Sequence, residues 1–211
     1  MTEPRYRNIA AHYEACLERH GDSHLGVDWP NADDVDTRHS VMLEVIRRPA
    51  GRSPVRLLDV GCGAAHLYER ILRDGRDDIA YEGLDIAEPF VALSRAKFPG
   101  VPFHRLDLLT APDEALPRCD YAVMNGVFTE KVDLSYEEMS EFFRALVARV
   151  FALAEIGIAF NVMSKHVDWE RDDLFHLPFD ELAAFLGAEL SRNFVIRNDY
   201  GLYEYTAYVY R

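Results

Sequence analysis

One short stretch, residues 57–67, constrains the fold of this chain more than any other part of the sequence. It begins as an apolar strand, ends that strand in Asp59, and then breaks into a tight turn with Gly61 and Gly63. Glycine is favoured in such a turn because it adopts positive φ angles and lets a ligand approach the backbone. A strand, a glycine turn and a following helix are typical of the ligand-binding part of a doubly wound α/β sheet. The stretch therefore predicts an α/β fold with a ligand beside the turn.

The spacing of the small residues argues against a dinucleotide as that ligand. A dinucleotide-binding turn has a further glycine or alanine where this chain has His66, because helix and strand pack closely there and the helix N-terminus faces a pyrophosphate. Here the small residues fall at alternate positions, Gly61, Gly63 and Ala65, just after Asp59. A carboxylate suits a ligand with an ammonium and a sulfonium group better than one with two phosphates.

Polar residues also follow the next three predicted strands, which cover residues 80–84, 101–106 and 120–124. These residues are Asp85, Asp107 and Asn125. Because ligands of open α/β sheets bind at the carboxyl ends of the strands, we expect the three side chains to surround one site. Asp85 can also cap the helix that begins near residue 88, and this role is compatible with ligand binding.

The last two predicted strands form an antiparallel hairpin. Residues 194–196 and 203–210 are separated only by residues 197–202, whereas parallel neighbours need a crossover of about a dozen residues or more. A long amphipathic helix, with apolar residues between Met139 and Phe151, and a strand over residues 156–162 precede this pair. The predicted sheet is therefore mostly parallel and closes with an antiparallel last strand, unlike a dinucleotide-binding sheet.

The glycine pattern and the hairpin together resemble the class I S-adenosylmethionine-dependent methyltransferases, whose first motif commonly has glycine where this chain has Ala65. Segments 13–43 and 157–205 look like a subgroup of small bacterial methyltransferases of mostly unassigned substrate. The resemblance implies a Rossmann-like, seven-stranded, mostly parallel sheet with an antiparallel last strand, in a three-layer sandwich with an N-terminal helical lid. It also implies S-adenosyl-L-methionine as the cofactor.

The resemblance further implies which residues bind that cofactor. In the family an acid at the position of Asp107 receives the adenine amino group, and an acid at that of Asp85 accepts from the ribose hydroxyls. Related enzymes place a base ahead of the first motif to bind the methionine carboxylate, and Arg38 fits that position, although a salt bridge to Asp34 or Asp36 is an alternative. The full predicted set is Arg38, Asp59, Gly61, Cys62, Gly63, Asp85, Ile86, Asp107, Leu108 and Asn125.

Length and composition predict one globular unit. The chain has 211 residues, 49% of them apolar, which is enough for one buried core, and no repeat or linker divides it. We assign residues 1–50 to the lid segment and residues 51–211 to the methyltransferase domain. Residues 13–43 are expected to close over the cofactor and to bring Tyr13, His24 and Trp29 to the acceptor pocket.

Cysteine usage and hydropathy indicate a cytoplasmic protein. Cys16, Cys62 and Cys119 lack metal-ligand spacing, so we expect no metal, and they are best read as small buried residues in a reducing compartment. The first residues are polar rather than the apolar core of a secretory signal. The longest apolar run, residues 150–163, is interrupted by charged and amide residues and is shorter than a membrane span.

The net charge of −13 argues against a nucleic-acid partner, because 36 acids against 23 bases would repel a polyanion at long range. A small molecule or a glycan precursor is the expected acceptor. The sequence leaves the acceptor atom and the oligomeric state open.

Methyl transfer from a sulfonium is an in-line displacement that depends mainly on alignment, and a base is needed only where the nucleophile must lose a proton. The candidates for that base are His166, Asp168, His24 and Glu130, each of which also has an ordinary structural explanation in an exposed loop or a salt bridge. We therefore predict an S-adenosylmethionine-dependent methyltransferase. One alternative is a catalytically silent S-adenosylmethionine-binding module or regulatory partner. A nicotinamide-dependent oxidoreductase is the other, and it conflicts with His66 in the turn.

Overall fold

The computed structural model describes residues 4–47 and 54–211. The order of its strands along the sheet is β3-β2-β1-β4-β5-β7-β6. The strands are β1 (Val55–Val60), β2 (Ile79–Asp85), β3 (Phe103–Arg105), β4 (Cys119–Phe128), β5 (Ala154–Met163), β6 (Phe194–Arg197) and β7 (Glu204–Tyr210). Strands β1 to β5 are parallel, and β7 is antiparallel to both β5 and β6. The predicted seven-stranded sheet and its hairpin are confirmed.

Helices cover both faces of this sheet, as the three-layer prediction requires. They are α1 (Arg7–His20), α2 (Asp33–Leu43), α3 (His66–Arg73), α4 (Glu88–Lys97), α5 (Tyr136–Leu153) and α6 (Phe179–Phe185). Leu58 of β1 packs in the cluster with α5 and α6, whereas its neighbour Leu57 packs in the cluster with α2, α3 and α4. Adjacent residues of one strand thus pack into two different cores, which is the period-2 pattern of a strand buried on both faces.

The sheet has its topological switch beside β1. The chain runs from β1 outward to β2 and β3, and then returns to place β4 on the other side of β1. The carboxyl ends of β1 and β4 therefore open a crevice, which is where open α/β sheets bind ligands. The glycine turn of residues 61–63 lies at this point.

The N-terminal segment contains α1, a short 3₁₀ turn at Leu25–Val27, and α2. Arg5, just before α1, pairs with Asp133 and Glu138, and the latter closes a capping box with Ser135 at the start of α5. The boundary predicted between residues 50 and 51 lies outside the described residues. The division into a lid and a main domain stays a prediction.

Candidate cofactor and acceptor cavities

A cavity, here called the first cavity, lies at the carboxyl ends of β1, β2 and β4 under the N-terminal segment. Among the predicted cofactor residues, all except Arg38 line it: Asp59, Gly61, Cys62, Gly63, Asp85, Ile86, Asp107, Leu108 and Asn125. The N-terminal segment contributes its roof, through Tyr6, Ile9, Ala10, Tyr13, Val27, Trp29 and His39. The fold thus brings residues from position 6 to position 146 around one space.

The glycine turn brings the backbone close to this space. Gly61 and Gly63 have φ angles of +72° and +52°, in the left-handed region that favours glycine. A Cβ at position 61 would also lie 2.6 Å from Val127 Cγ2, so a side chain there would displace the side chain of Val127. Ala65, the predicted departure from the glycine pattern, takes the same left-handed region with φ of +60° and precedes α3.

Asp85 ties the turn to the end of β2. Its Oδ2 accepts a hydrogen bond from the Gly63 backbone N–H at 2.9 Å, and its Oδ1 accepts from the Ala87 N–H at 2.9 Å. Burial raises the pKa of this carboxyl, and the backbone N–H groups partly oppose that rise. The Ile86 backbone N–H also lies within hydrogen-bonding reach of this carboxylate. Two carboxylate oxygens offer about four acceptor sites, so the group can still accept from a ligand hydroxyl.

Asp59 lies at the end of β1 in an apolar surrounding. It is 3% exposed, and the Tyr81 hydroxyl donates to its Oδ2 at 2.8 Å. Burial raises the pKa of Asp59 to about 7; the Tyr81 hydrogen bond lowers it and the Asp85 charge raises it further. Such a carboxyl favours a cationic ligand, because a nearby positive charge restores its ionised form.

Asn125, on β4, carries the clearest sign of a missing partner. Its side-chain oxygen and nitrogen are both buried, and neither has a hydrogen-bond partner within the described ranges. Leaving a buried amide unpaired costs about 1–3 kcal/mol, so such groups in native structures call for an explanation. A polar ligand in the first cavity supplies one.

Asp107 lines the first cavity but is already engaged with the N-terminal segment. Its Oδ2 accepts from the Tyr6 hydroxyl at 2.9 Å and from Arg7 Nη2 at 3.0 Å, and its Oδ1 accepts from the Leu109 N–H at 3.1 Å. Oδ1 therefore retains the capacity to accept a further hydrogen bond. These two contacts were not predicted, because nothing local to Asp107 identifies partners about 100 positions away.

Arg38 lies outside the lining of the first cavity. Its Nε donates to Glu204 Oε2 at 2.9 Å, and its guanidinium lies 5.1 Å from the centroid of the Trp29 ring. The partner is therefore Glu204 on β7 rather than Asp34 or Asp36. The neighbouring residue, His39, lines the first cavity instead, and it was missed in the sequence.

His39 is 3% exposed, and its ring centroid lies 5.5 Å from that of Trp29. Burial lowers its pKa to about 3, with smaller contributions from neighbouring cationic side chains, so the imidazole is neutral. The helical spacing of His39 with the buried Met42 and Leu43 is the signal that could have placed it inward.

A second cavity lies on the other side of Trp29, which lines both. Its walls come from the N-terminal segment, from the chain after β4 and β5, and from the approach to β7. Its lining includes Asp28, Trp29, Asp34, Arg38, Thr129, Glu130, Met163, Asp168, Trp169, Arg171, Leu174, His176, Tyr203 and Glu204.

The four candidate bases differ in whether they line the second cavity. Glu130 and Asp168 line the second cavity, and Glu130 is 8% exposed while Asp168 is exposed. His166 is exposed and lies with its ring centroid 5.0 Å from that of Phe179, outside the lining of both cavities. His24 is also outside both linings, where its Nδ1 hydrogen-bonds the Trp29 carbonyl oxygen at 2.6 Å.

One group of potential metal ligands, His12, Cys16 and Asp28, occurs in the part of the chain that the structure describes. His12 Nε2 hydrogen-bonds Asp28 Oδ2 at 2.7 Å, and Arg19 Nη2 donates to Cys16 Sγ at 3.2 Å. Contacts between protein groups therefore account for this cluster, and three side chains are fewer than a tetrahedral structural site needs. Among the described residues, no helix has both the length and the apolar character needed to cross a bilayer.

The known proteins that this chain resembles include methyltransferases. No protein-family model matches the sequence. "Putative methyltransferase Rv1506c" of Mycobacterium tuberculosis (strain ATCC 25618 / H37Rv) is 26% identical over 159 residues, which cover 74% of this chain and 93% of that protein.

Two solved structures align over the whole chain. The magnesium protoporphyrin IX methyltransferase (ChlM) from Synechocystis PCC 6803 with bound S-adenosylmethionine has a TM-score of 0.67 and 15% identity, covering 100% of this chain and 98% of its own. The 1,6-didemethyltoxoflavin-N1-methyltransferase of Burkholderia thailandensis, with its acceptor and S-adenosylhomocysteine bound, has a TM-score of 0.62 and 17% identity, covering 100% and 91%. At these identities the alignments establish a shared fold, and they confirm the fold predicted from the glycine turn and the hairpin.

Proposed function

We propose that this chain, which has the fold of the class I S-adenosylmethionine-dependent methyltransferases, binds S-adenosylmethionine in the first cavity and methylates a small molecule held in the second. The observation that carries the proposal is the unpaired amide of Asn125, which faces the same cavity as the strand-end carboxylates of Asp59 and Asp85. A ligand with hydroxyl, amine and cationic groups satisfies all three side chains. The named relative and the two solved structures support the same activity.

The residues of the first cavity fit the parts of that cofactor. We assign the ribose hydroxyls to Asp85, the ammonium group to Asp59 and the adenine amino group to the free lone pair of Asp107. We place the backbone of the Gly61 to Gly63 turn, with Cys62 between the two glycines, against the methionine portion. The N–H groups of these three residues already donate to the Leu84 carbonyl oxygen and to Asp85, so the contact is one of close approach. Ile86 and Leu108 offer apolar surface for the adenine ring.

Arg38 is the one predicted cofactor residue that the fold places elsewhere, in the wall of the second cavity. A role for it on the methionine carboxylate stays a prediction. The Arg38→Lys variant checks it by calorimetry, since a bidentate contact to that carboxylate does not survive replacement by a single ammonium. Unchanged cofactor affinity would leave the ion pair with Glu204 as the role of Arg38.

Two cavities that share the wall of Trp29 suit an in-line displacement. Bound S-adenosylmethionine supplies an activated methyl group, and an acceptor in the second cavity would meet that group beside Trp29, the residue that lines both cavities. Holding the two reactants in line contributes on the order of 7–11 kcal/mol to lowering the barrier. The N-terminal roof excludes water from the reacting groups.

The net charge of −13 also favours a small-molecule acceptor, because it opposes binding to nucleic acid. We propose a bacterial, cytoplasmic enzyme that acts on a glycan or natural-product precursor. The comparisons do not favour the silent binding module, and turnover separates the two because a module binds the cofactor without transferring its methyl group.

The Asn125→Leu variant provides a direct test. Leucine has a similar volume and removes the unpaired amide, so we expect an unliganded protein at least as stable as the wild type and an affinity for S-adenosylmethionine lower by about 5- to 150-fold, equivalent to about 1–3 kcal/mol. Asn198→Leu, at an exposed position, is the matched control. Wild-type affinity in Asn125→Leu would contradict the cofactor site, and absence of methyl transfer to a broad acceptor panel would contradict the enzyme.

A further inference from the structure

Carboxylates outnumber cationic side chains in the lining of the second cavity. Five carboxylates line it, Asp28, Asp34, Glu130, Asp168 and Glu204, against two guanidiniums, Arg38 and Arg171. Both guanidiniums already have carboxylate partners, Glu204 and Asp173 respectively. His176 is held by the protein, since its Nε2 accepts from the Arg171 backbone N–H at 3.3 Å and its Nδ1 lies 2.6 Å from the Ser164 carbonyl oxygen. The cavity thus presents uncompensated negative charge to whatever enters it.

Glu130 is the carboxylate in this lining that lacks a partner among the residues that the structure describes. It is 8% exposed, and no hydrogen bond or ion pair reaches its side chain from residues 4–47 or 54–211. Its backbone is fixed by a bridge to Leu174 and by hydrogen bonds from Phe175 N–H to the Thr129 oxygen at 2.8 Å and from Lys131 N–H to the Asp173 oxygen at 2.8 Å. A buried, unpaired carboxylate on a rigid segment is costly unless a ligand or a proton compensates it.

The charged groups around Glu130 come from each element packed against it. Asp28 and Asp173 repel its negative charge, while Arg171 and His12 attract it. Tyr13 and Cys16 of α1 also lie within its electrostatic reach. Burial is the largest influence, and together with the two acids it raises the pKa of Glu130 to about 7. This carboxyl is therefore poised to exchange a proton near neutral pH.

Aromatic surface borders the same cavity. Trp169 is 72% exposed and Tyr203 is 61% exposed, and both line it together with Trp29. Exposed aromatic faces next to carboxylates favour a ring-bearing molecule that also carries a positive charge, through stacking and cation–π contact. An anionic or a purely apolar acceptor gains little from this combination.

We infer that the acceptor is a ring-borne amine, and that Glu130 binds its ammonium group and takes its proton before methyl transfer. The inference rests on the proposed function. The N–H bond breaks with its electron pair left on nitrogen, and the proton moves to a Glu130 carboxylate oxygen. That pair then forms the new N–C bond as the S–C bond of the sulfonium breaks, and the pair of the broken bond stays on sulfur. Glu130 later returns its proton to solvent through the mouth of the cavity.

The other titratable groups near the reaction are less suited to this step. Asp168 is exposed and accepts from the Tyr203 hydroxyl at 3.4 Å, and His166 lies outside both cavities. His39 lies in the first cavity, but its pKa of about 3 makes it too weak a base to take a proton from an ammonium group.

Binding tests the inference without requiring turnover. The whole chain loaded with S-adenosylhomocysteine is titrated with two matched pairs of probes, glucosamine against glucose and benzylamine against benzyl alcohol. We expect at least one amine to bind tenfold or more tightly than its hydroxyl partner, and Glu130→Gln to remove that preference. The Glu130→Asp variant should keep part of it, while Glu141→Gln, an exposed carboxylate on α5, should keep all of it.

Three results would overturn the inference: binding of neither amine, equal binding of amine and alcohol, or an unchanged preference in Glu130→Gln. Affinity for S-adenosylhomocysteine is measured in every variant, so that failure of the cofactor site is seen separately. With an amine that turns over, kcat should fall about 10²- to 10⁴-fold in Glu130→Gln, as for loss of a general base. The rise of kcat/KM through neutral pH should disappear with it, and methylation of hydroxyl acceptors alone would refute this inference while supporting the proposed function.

Discussion

The indole of Trp29 packs directly over Gly126 at the end of β4, so closely that a Cβ at position 126 would lie 3.2 Å from the indole Nε1. Gly126 has φ of +80°, and its carbonyl oxygen accepts a hydrogen bond from the Tyr13 hydroxyl at 3.1 Å. Two aromatic residues of the N-terminal segment therefore converge on one backbone unit of the sheet. This contact holds the roof of the first cavity and the wall between the two cavities in place.

The Gly126→Ala variant should loosen the roof. The new methyl group strains a left-handed backbone by about 1–2 kcal/mol and presses on Trp29, so we expect lower stability and faster hydrogen exchange across residues 13–43. Gly187→Ala is the control, because no atom lies within 4 Å of a Cβ at that position.

The same exchange measurement on the wild type checks whether residues 13–43 act as a closing lid. We expect their protection to rise when S-adenosylhomocysteine binds, because a mobile lid closes over its ligand. Equal protection with and without ligand would identify the segment as a static brace.

Removal of the Asp85 carboxylate should weaken cofactor binding by about 1.5–3 kcal/mol, if that group accepts from the ribose hydroxyls. Asp85 also holds the Gly63 and Ala87 N–H groups, so part of the loss in Asp85→Ala comes from the turn. A cofactor analogue that lacks the 2′-hydroxyl separates the two contributions in a double-mutant cycle. The analogue should bind less tightly to the wild type than the parent molecule does, and the two should bind Asp85→Ala alike.

Tyr6→Phe should free a lone pair on Asp107 and release the start of α1 from the sheet. We expect faster hydrogen exchange in residues 7–20 and little change in cofactor affinity, since the free lone pair on Asp107 Oδ1 is unaffected. Tyr136→Phe removes a similar hydroxyl-to-carboxylate hydrogen bond, to Glu181, far from the cavity. S-inosylhomocysteine, which lacks the adenine amine, should bind less tightly than S-adenosylhomocysteine to the wild type but not to Asp107→Ala.

The stability of the protein should depend on pH through Asp59. Its pKa is raised to about 7 in the folded protein, so between about pH 4 and pH 7 the folded state holds a proton that the unfolded chain has lost. The free energy of unfolding of the wild type relative to Asp59→Asn should therefore fall as pH rises through this window, by about 1.4 kcal/mol per pH unit. Chemical denaturation at a series of pH values measures this, with the exposed Asp172→Asn as the control.

Cofactor binding should lower the pKa of Asp59, whereas burial raises it. A cationic ligand beside Asp59 favours the ionised carboxylate, so binding at pH 6.5 should release a proton and affinity should rise toward pH 8. Calorimetry in buffers of different ionisation enthalpy detects that proton. A proton count of zero would mean that the ligand cation lies away from Asp59.

Most of the fold and most of the first cavity could be predicted from local sequence patterns. The glycine turn, the strand-end residues Asp59, Asp85 and Asn125, and the short connection before β7 each follow from chemistry within a few positions. Parallel strands then bring their carboxyl ends together without further information.

The pairings that local sequence could not reveal are long-range. Arg38 hydrogen-bonds Glu204, which is 166 positions away in the sequence, and Asp107 hydrogen-bonds Tyr6, which is 101 positions away. Glu130 carries a charge in a polar loop, which ordinarily indicates an exposed residue, and its burial depends on residues 28 and 171–174 packing over it. Such contacts depend on how distant segments dock, which no period or spacing encodes.

The position of β7 has a consequence for how this protein folds during its synthesis in a cell. Glu204–Tyr210 lies between β5 and β6, and each of its residues is buried. While a ribosome is still translating these positions, β5 presents an open edge that other chains can pair with. Arg38 has no Glu204 to pair with during that time, so this one contact of the N-terminal segment forms only after the seventh strand has joined the sheet. Assembly that waits on such distant pairings is slow, and a pause in translation shortly before residue 204 would prolong the interval in which the nascent chain is open to aggregation and to capture by chaperones.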